Sequence, residues 1–489
     1  MRISITGTRK FFDNKENSIV ADSLKNLPSI LFIATYAFII AIVYTRIFKA
    51  AEYGQYSFYI ALAGPIITIS AEWVAQPVLR YYADYKNSNT LEHLWHALTT
   101  FIFGITAFFM IVGIVLWIVF HGNINTSSIY YVIPTFFIIV LQSLTSTLLP
   151  IFPSSFKAQL WRNITAFTPI LATIITLILI NFSGKYAFYI LYGQAISLAL
   201  FLPLIVFLSG WKPKISQILP SDQSKATMLR MSKYGIPMMV WFMSSSILDI
   251  EDRLLLHWFR SERELGIYAV SYSMMSGVVM LLNLPINVAI GPVLYNYWSK
   301  GKKQEAAAAI TEMSRMYIYL ASVLAITVAL FGPSLLSRVL GQDYREGINI
   351  IIPIMLARMA WGVSMIGQKT LELNEKTKRL MYLSLRAAVI NTVLNLIFIP
   401  SFGIYAASFS TLFCYVLYCY LVYNSSKNIM PWKIEFSSIT IPIFTSMIVI
   451  TLYYALSAAN LQNLYVSIII EIVSVAVIFM AFFKSKTGV

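Results

Sequence analysis

Residues 29–45 read SILFIATYAFIIAIVYT and residues 135–150 read TFFIIVLQSLTSTLLP. Neither stretch carries a charge, and each lies in a run long enough for a helix to cross about 30 Å of hydrocarbon. The rest of the 489-residue chain has the same character. Hydrophobic residues make up 58% and charged residues 12%, where a soluble domain carries about 25% charged residues. That leaves too little polar surface to cover a soluble multidomain protein. The strands of a membrane barrel need only about 10 alternating residues, and these runs are about twice as long and do not alternate. The sequence therefore predicts an all-α, polytopic membrane protein.

About fourteen apolar spans are predicted, near 28–48, 56–79, 97–120, 129–150, 161–181, 187–208, 235–259, 266–290, 316–339, 347–369, 380–400, 404–423, 437–456 and 462–483. The first 27 residues are polar and the first apolar run is a full span, so no cleavable signal is expected. With the N-terminus inside, about 26 of the 36 basic residues face the cytoplasm, among them Arg9, Lys10, Lys302 and Lys303, against about seven outside. The positive-inside rule then predicts a multi-pass protein with both termini cytoplasmic. The net charge of +15 is thus a topology signal with a secondary attraction to anionic lipid, and nucleic acid is not an expected partner. Cys414 and Cys419 stand about 140° apart on one helix, which suits packing and neither a disulfide nor a metal. No cofactor is expected.

No loop exceeds about 30 residues, so any chemistry belongs within the membrane or at its edge. The longest loop, 209–234, reads as a cytoplasmic connector between two halves. The stretch WSKGKKQEAAAAITEMSR, 298–315, suggests an interfacial helix before the ninth span. Glu52-Tyr53-Gly54-Gln55-Tyr56 after the first span matches Glu264-Leu265-Gly266-Ile267-Tyr268 after the seventh. Gly184-Lys185-Tyr186-Ala187 matches Gly403-Ile404-Tyr405-Ala406, and the offsets are 212 and 219 residues. The expected organisation is an N-terminal segment 1–27, a six-span lobe 28–208, the connector 209–234, a second six-span lobe 235–423, and two added spans in 424–489. An even number of spans per half gives parallel repeats. The repeated glycines are expected in tight outer turns.

Asp252-Arg253-Leu254-Leu255-Leu256 followed by the second E-x-G-x-Y, Arg80-Tyr81-Tyr82, and Leu340-Gly341-Gln342-Asp343-Tyr344 resemble motifs of the polysaccharide-biosynthesis flippases. These are the O-antigen and capsule type within the multidrug/oligosaccharidyl-lipid/polysaccharide exporter superfamily. The resemblance covers essentially the whole chain. It implies a two-lobed, MATE-like bundle (6+6+2) in the bacterial inner membrane that moves undecaprenyl-pyrophosphate-linked oligosaccharide outward, as in lipopolysaccharide or capsule assembly. Membrane lipids and other glycan-assembly proteins are the partners it implies.

Ionisable groups within spans are costly and call for a role or a partner. Glu72, Gln76 and Arg80 share a stripe on span two, where Pro77 interrupts the helix. They either line a cavity or leave Arg80 reaching to the head groups. Span seven holds Asp249, Glu251, Asp252 and Arg253. Asp249 and Arg253 can pair, while Glu251 projects about 200° away and needs another partner. Span ten carries Arg358, Gly362, Met365 and Lys369 on one stripe, with Arg358 near the midplane. A guanidinium binds phosphate bidentately and stays charged. The substrate-binding candidates are Arg358, Arg80, Lys369, Arg253 and Arg386, and the ion-coupling candidates are Glu72, Asp249 and Asp252. The pairs Asn283/Asn287 and Asn391/Asn395 suit either a sugar route or interhelical hydrogen bonds. Glu471 stands alone in span fourteen. A cation or drug exporter of the same superfamily is the alternative, against which Arg358 argues. A glycan polymerase ranks lower because the outside loops are short and hold no paired carboxylates, so no catalytic residue is expected.

Overall fold

The computed structural model describes residues 27–120, 126–155, 157–434, 436–458 and 464–487. The N-terminal segment with Arg9 and Lys10 lies outside the described residues, as does the side chain of Asn287. Among the described residues fourteen helices run in order: α1 Leu27–Ile47, α2 Ala50–Asn87, α3 Leu91–Phe120, α4 Thr126–Leu148, α5 Ala158–Ser183, α6 Phe188–Ser209 and α7 Asp222–Phe259. They continue with α8 Glu262–Ser299, α9 Lys303–Val339, α10 Ile351–Leu373, α11 Thr377–Phe402, α12 Ile404–Ser426, α13 Phe436–Ala458 and α14 Leu464–Thr487. A four-residue turn of helix, Ile151–Ser154, precedes α5, and 3-10 segments cover Ile215–Gln217 and Gln342–Ile350. Ten helices among the described residues are long and apolar enough to cross a membrane. The protein is a multi-pass, all-helical membrane protein, because in lipid a helix satisfies its own backbone hydrogen bonds.

The chain forms two compact units. One contains the described part of residues 1–46 with 270–376 and 405–489; the other contains 47–269 and 377–404. The second unit therefore takes in α2 to α7, the first turns of α8, and α11. Each unit interleaves segments from both predicted sequence halves.

In the second unit α2 and α7 pack antiparallel along most of their length. Phe58 stacks on His257 with ring centroids 3.8 Å apart, Thr68 and Ser246 hydroxyls meet at 3.3 Å, and Asp84 meets Arg230 at 3.0 Å. Helix α2 continues through Pro77. Proline cannot donate to the carbonyl of Trp73, and Gly235 of α7 lies against that carbonyl, where a Cβ would collide. The connector is largely structured. Trp211 Nε1 donates to Thr99 Oγ1 at 2.9 Å and Thr100 Oγ1 to Gln217 O at 2.9 Å. Ser221 caps α7, its Oγ accepting from Ser224 N at 3.2 Å.

Two sequence expectations change. The stretch from Lys303 is no separate interfacial helix; after Gly301, at φ +70, it is the continuous start of the 37-residue α9. Gly54 and Gly266 are not turn residues either. Each sits in the first turns of a long helix, and the two pack on each other. A Cβ on Gly54 would strike Glu262 O and the Gly266 amide; one on Gly266 would strike Ala50 O and the Gly54 amide. Glycine is required there for backbone approach rather than for φ. Gly184 (φ +102) and Gly403 (φ +53) are the turn glycines.

In the first unit α9 packs against α10, α13 and α14. Arg46, in the last turn of α1, donates to Val339 O at 2.8 Å and Arg338 O at 2.7 Å, a cation satisfying the C-terminal carbonyls of α9. Gly341 lies against Thr45 O, where a side chain would collide, and Tyr344 is fully buried. The Leu340–Tyr344 motif thus serves as the corner between α1, α9 and α10.

Candidate functional site

The first unit holds Arg358 in an aromatic and hydroxyl cluster. Its Nη1 donates to Tyr272 OH at 3.3 Å, and its guanidinium lies 5.5 Å from the centre of that ring. The Tyr272 and Tyr415 hydroxyls meet at 3.0 Å. Trp361 stacks on Tyr418 with centroids 5.0 Å apart, and Tyr418 OH donates to Gln368 Oε1 at 3.2 Å. One turn beyond Arg358, Gly362 leaves room for Tyr317 OH, which donates to Asn283 Oδ1 at 2.5 Å. The result is a half-buried fixed charge bonded to the Tyr272 phenol, with further phenols, an indole and amides linked to one another in the same unit. Such a cluster can hold an oxyanion bidentately and stack against a sugar or a ring face. Lys369, on the same predicted stripe, pairs with Glu372 at 2.7 Å.

The acids of α7 lie in the second unit, each tied to a different neighbour. Glu251 is 6% exposed and accepts hydrogen bonds from Asn391 Nδ2 and Thr392 Oγ1, with Asn395 Nδ2 at 3.4 Å, all on α11. The partner its projection demanded is therefore the Asn391/Asn395 pair, which bonds between helices. Asn391 Oδ1 is buried and left over. Asp252 is fully buried and accepts from Tyr268 OH and from the Arg253 amide at 2.8 Å. That bond joins the Asp252-Arg253 motif to the tyrosine of the second E-x-G-x-Y. Arg260 pairs with Glu264 at 2.9 Å and donates to Pro400 O at 3.2 Å. Asp249 and Arg253 are half-buried on α7, and Arg386 is exposed on α11.

On α2, Glu72 accepts from Gln76 Nε2 at 3.0 Å. Arg80, at the end of the same stripe, is exposed and lies over the Tyr234 ring at 4.5 Å. A cavity of about 290 Å³ among α4, α5 and α6 is lined by Gln142, Thr145, Thr168 and Gln194 together with apolar side chains, and its lining carries no charge. In the first unit Glu471 has a partner that the sequence did not show: Thr327 Oγ1 of α9 donates to it at 2.6 Å.

Arg358 and Lys369 thus belong to one compact unit. Arg80, Arg253, Arg386, Glu72, Asp249 and Asp252 belong to the other. The sequence reading passed over Glu251 as a site and gave no part to Tyr272, Tyr415 and Trp361. The unpartnered projection of Glu251 was the available signal for the first; the tyrosines had none, since 30 occur in the chain.

A family model described as "Polysaccharide biosynthesis protein" matches residues 20–298. The chain belongs to that family. A second model, MatE, matches residues 237–397. The chain is similar to the probable low-salt glycan biosynthesis flippase Agl15 of Haloferax volcanii, 20% identical over 249 residues, covering 50% of this chain and 52% of the relative. It spans about half the length of that curated relative. In fold it is similar to the lipid II flippase MurJ in an inward closed conformation, with a TM-score of 0.68 at 15% identity over 94% of this chain and 100% of MurJ. It is also similar to a mutant of the Vibrio cholerae MATE transporter VcmN, with a TM-score of 0.59 at 12% identity over 84% and 98%. The family resemblance carried by the motifs and the MATE-like, all-helical fold class both hold.

Proposed function

We propose that the protein is a flippase that carries a lipid-linked oligosaccharide across the membrane by alternating access, and that Arg358 contacts the phosphate of the passing lipid. The observation that carries this reading is the placement of Arg358, a permanent charge within a span, hydrogen-bonded to the Tyr272 phenol and lying over its ring. Membership of the polysaccharide biosynthesis family supports it, as do the similarities to Agl15 and MurJ. The substrate expected is an undecaprenyl-pyrophosphate-linked glycan of O-antigen or capsule type, moved outward across a bacterial inner membrane with both termini cytoplasmic. The two six-span repeats are its moving parts in this reading. The transporter relatives favour transport over catalysis. Coupling to a proton or sodium gradient would use the acids of α2 and α7.

The test is complementation of a strain lacking its own surface-glycan flippase and supplied with the matched donor glycan, comparing wild type with Arg358→Ala at equal membrane abundance. Surface glycan restored by the wild type and lost in the variant supports the reading. Restoration by both removes Arg358 from it. Failure of the wild type moves the weight to a multidrug exporter, the alternative that the MatE match supports.

A further inference from the structure

At the far end of the α2–α7 pair from Phe58 and His257, two arginines are held against three tyrosines. Arg80 lies 4.5 Å from the centre of the Tyr234 ring and 5.6 Å from that of Tyr81. Arg230 lies 4.4 Å from the centre of Tyr81 and 5.4 Å from that of Tyr85. Tyr81 and Tyr234 meet edge to face at 5.9 Å. The two guanidiniums thus share the Tyr81 ring, which brings like charges together on one small surface. Arg230 also meets Asp84 at 3.0 Å, with side chains 49% and 58% exposed. The stretches 80–86 and 225–233 hold five basic residues and one acid.

Each feature has a physical consequence. A ring face restrains a guanidinium that lies over it, so less freedom is lost when an anion docks. The fork of N–H donors matches a phosphate in two places at once. An ion pair this exposed contributes little, so Asp84 is a carboxylate that a phosphate can displace. Glu72 lies about 12 Å further up α2 at 1.5 Å per residue, which places the tyrosines and arginines at the end of the span, at head-group depth.

We infer that the Arg80–Arg230–tyrosine cluster is a binding site for the phosphate or diphosphate head of a membrane lipid, with Asp84 as its resident competitor. The site belongs to the compact unit that does not contain Arg358 and gives a flippase a place to collect its lipid before transport. Only the identity of the natural ligand rests on the flippase reading; the site itself does not.

The experiment uses the full-length protein in detergent micelles titrated with farnesyl pyrophosphate, with a parallel titration in nanodiscs of rising phosphatidylglycerol content. The wild type should bind at least one of the two probes. Arg80→Lys combined with Arg230→Lys keeps the charge but loses the fork and the stacking, and should weaken binding about tenfold. Asp84→Asn, which removes the competitor, should strengthen binding severalfold; a purely structural ion pair would not give this gain. Binding of farnesyl pyrophosphate alone assigns the site to diphosphate lipids. Equal response to phosphatidylglycerol assigns it to bulk anionic lipid, and in both cases the phosphate site stands. Loss of neither ligand in the double variant, or weaker binding in Asp84→Asn, overturns it. Complementation through Arg358 is a separate readout, so failure of transport and failure of this site are distinguishable.

Discussion

In the unit built on α2, α7 and α11, buried acids are enclosed by donors: Glu251 by two asparagines and a threonine, Asp252 by a phenol and an amide. In the unit built on α9, α10 and α12, the intramembrane base Arg358 meets the hydroxyl and the ring face of Tyr272, and remains half-buried. Under the proposed flippase function, the difference lies in what a moving lipid would use. A carboxylate that already accepts three hydrogen bonds holds helices together. A guanidinium keeps its charge and carries a planar fork of donors that matches a larger anion. Intramembrane charge is costly in both units, and each satisfies it with the partners its helices supply.

The contrast breaks first at Glu251. Glu251→Leu strands Asn391, Thr392 and Asn395 in the core and should cost on the order of 3 kcal/mol. The check is the temperature at which the solubilised protein leaves its monodisperse peak in chromatography. Adding Asn391→Leu should recover part of the loss, because the two changes share one network. Additive losses would mean that the network does not couple α7 to α11. Next, Gly266→Ala should cost about 2 kcal/mol by the same assay, since backbone rather than a flexible side chain stands in the way. Gly210, where nothing lies within 4 Å of an added Cβ, is the control for crowding; its left-handed φ of +75 still makes alanine there cost on the order of 1 kcal/mol. If both lose equally, the close contact of α2 with α8 is not what the glycine serves.

Arg358→Lys sharpens the other side. Stability should stay within about 1 kcal/mol because the charge remains, while surface-glycan export falls roughly tenfold with loss of the bidentate fork. Export unchanged at equal abundance would reduce Arg358 to a point charge. The smallest effect belongs to Thr327→Val, which removes the hydroxyl on Glu471 and should cost about 1 kcal/mol in thermal stability with no change in export. A loss of export with intact stability would instead give α14 a part in transport.

Several of these features were legible in the chain. Hydropathy is local and additive, so the helices could be counted from runs such as 29–45 and 135–150. The motif Asp252-Arg253 with Glu264–Tyr268 placed the family before any contact was known. Helix starts were less legible. Ala50 and Glu262 open their helices several residues before the apolar runs at 56 and 266, which is why Gly54 and Gly266 read as turn residues. Charged and tyrosine-rich first turns lower hydropathy without breaking a helix.

What the sequence determined by itself is the membrane class, the succession of helices, the family, and the need of each intramembrane charge for a partner. All of these depend on composition and short spacing. What only the tertiary structure decided is who the partners are. Glu251 finds Asn391 at a separation of 140 residues, Glu471 finds Thr327 at 144, and two glycines 212 residues apart meet backbone to backbone. Helix periodicity gives the face on which a side chain lies. Which helix covers that face follows from packing all of them together, and that is where Arg358 gained its phenols and Arg80 its tyrosine.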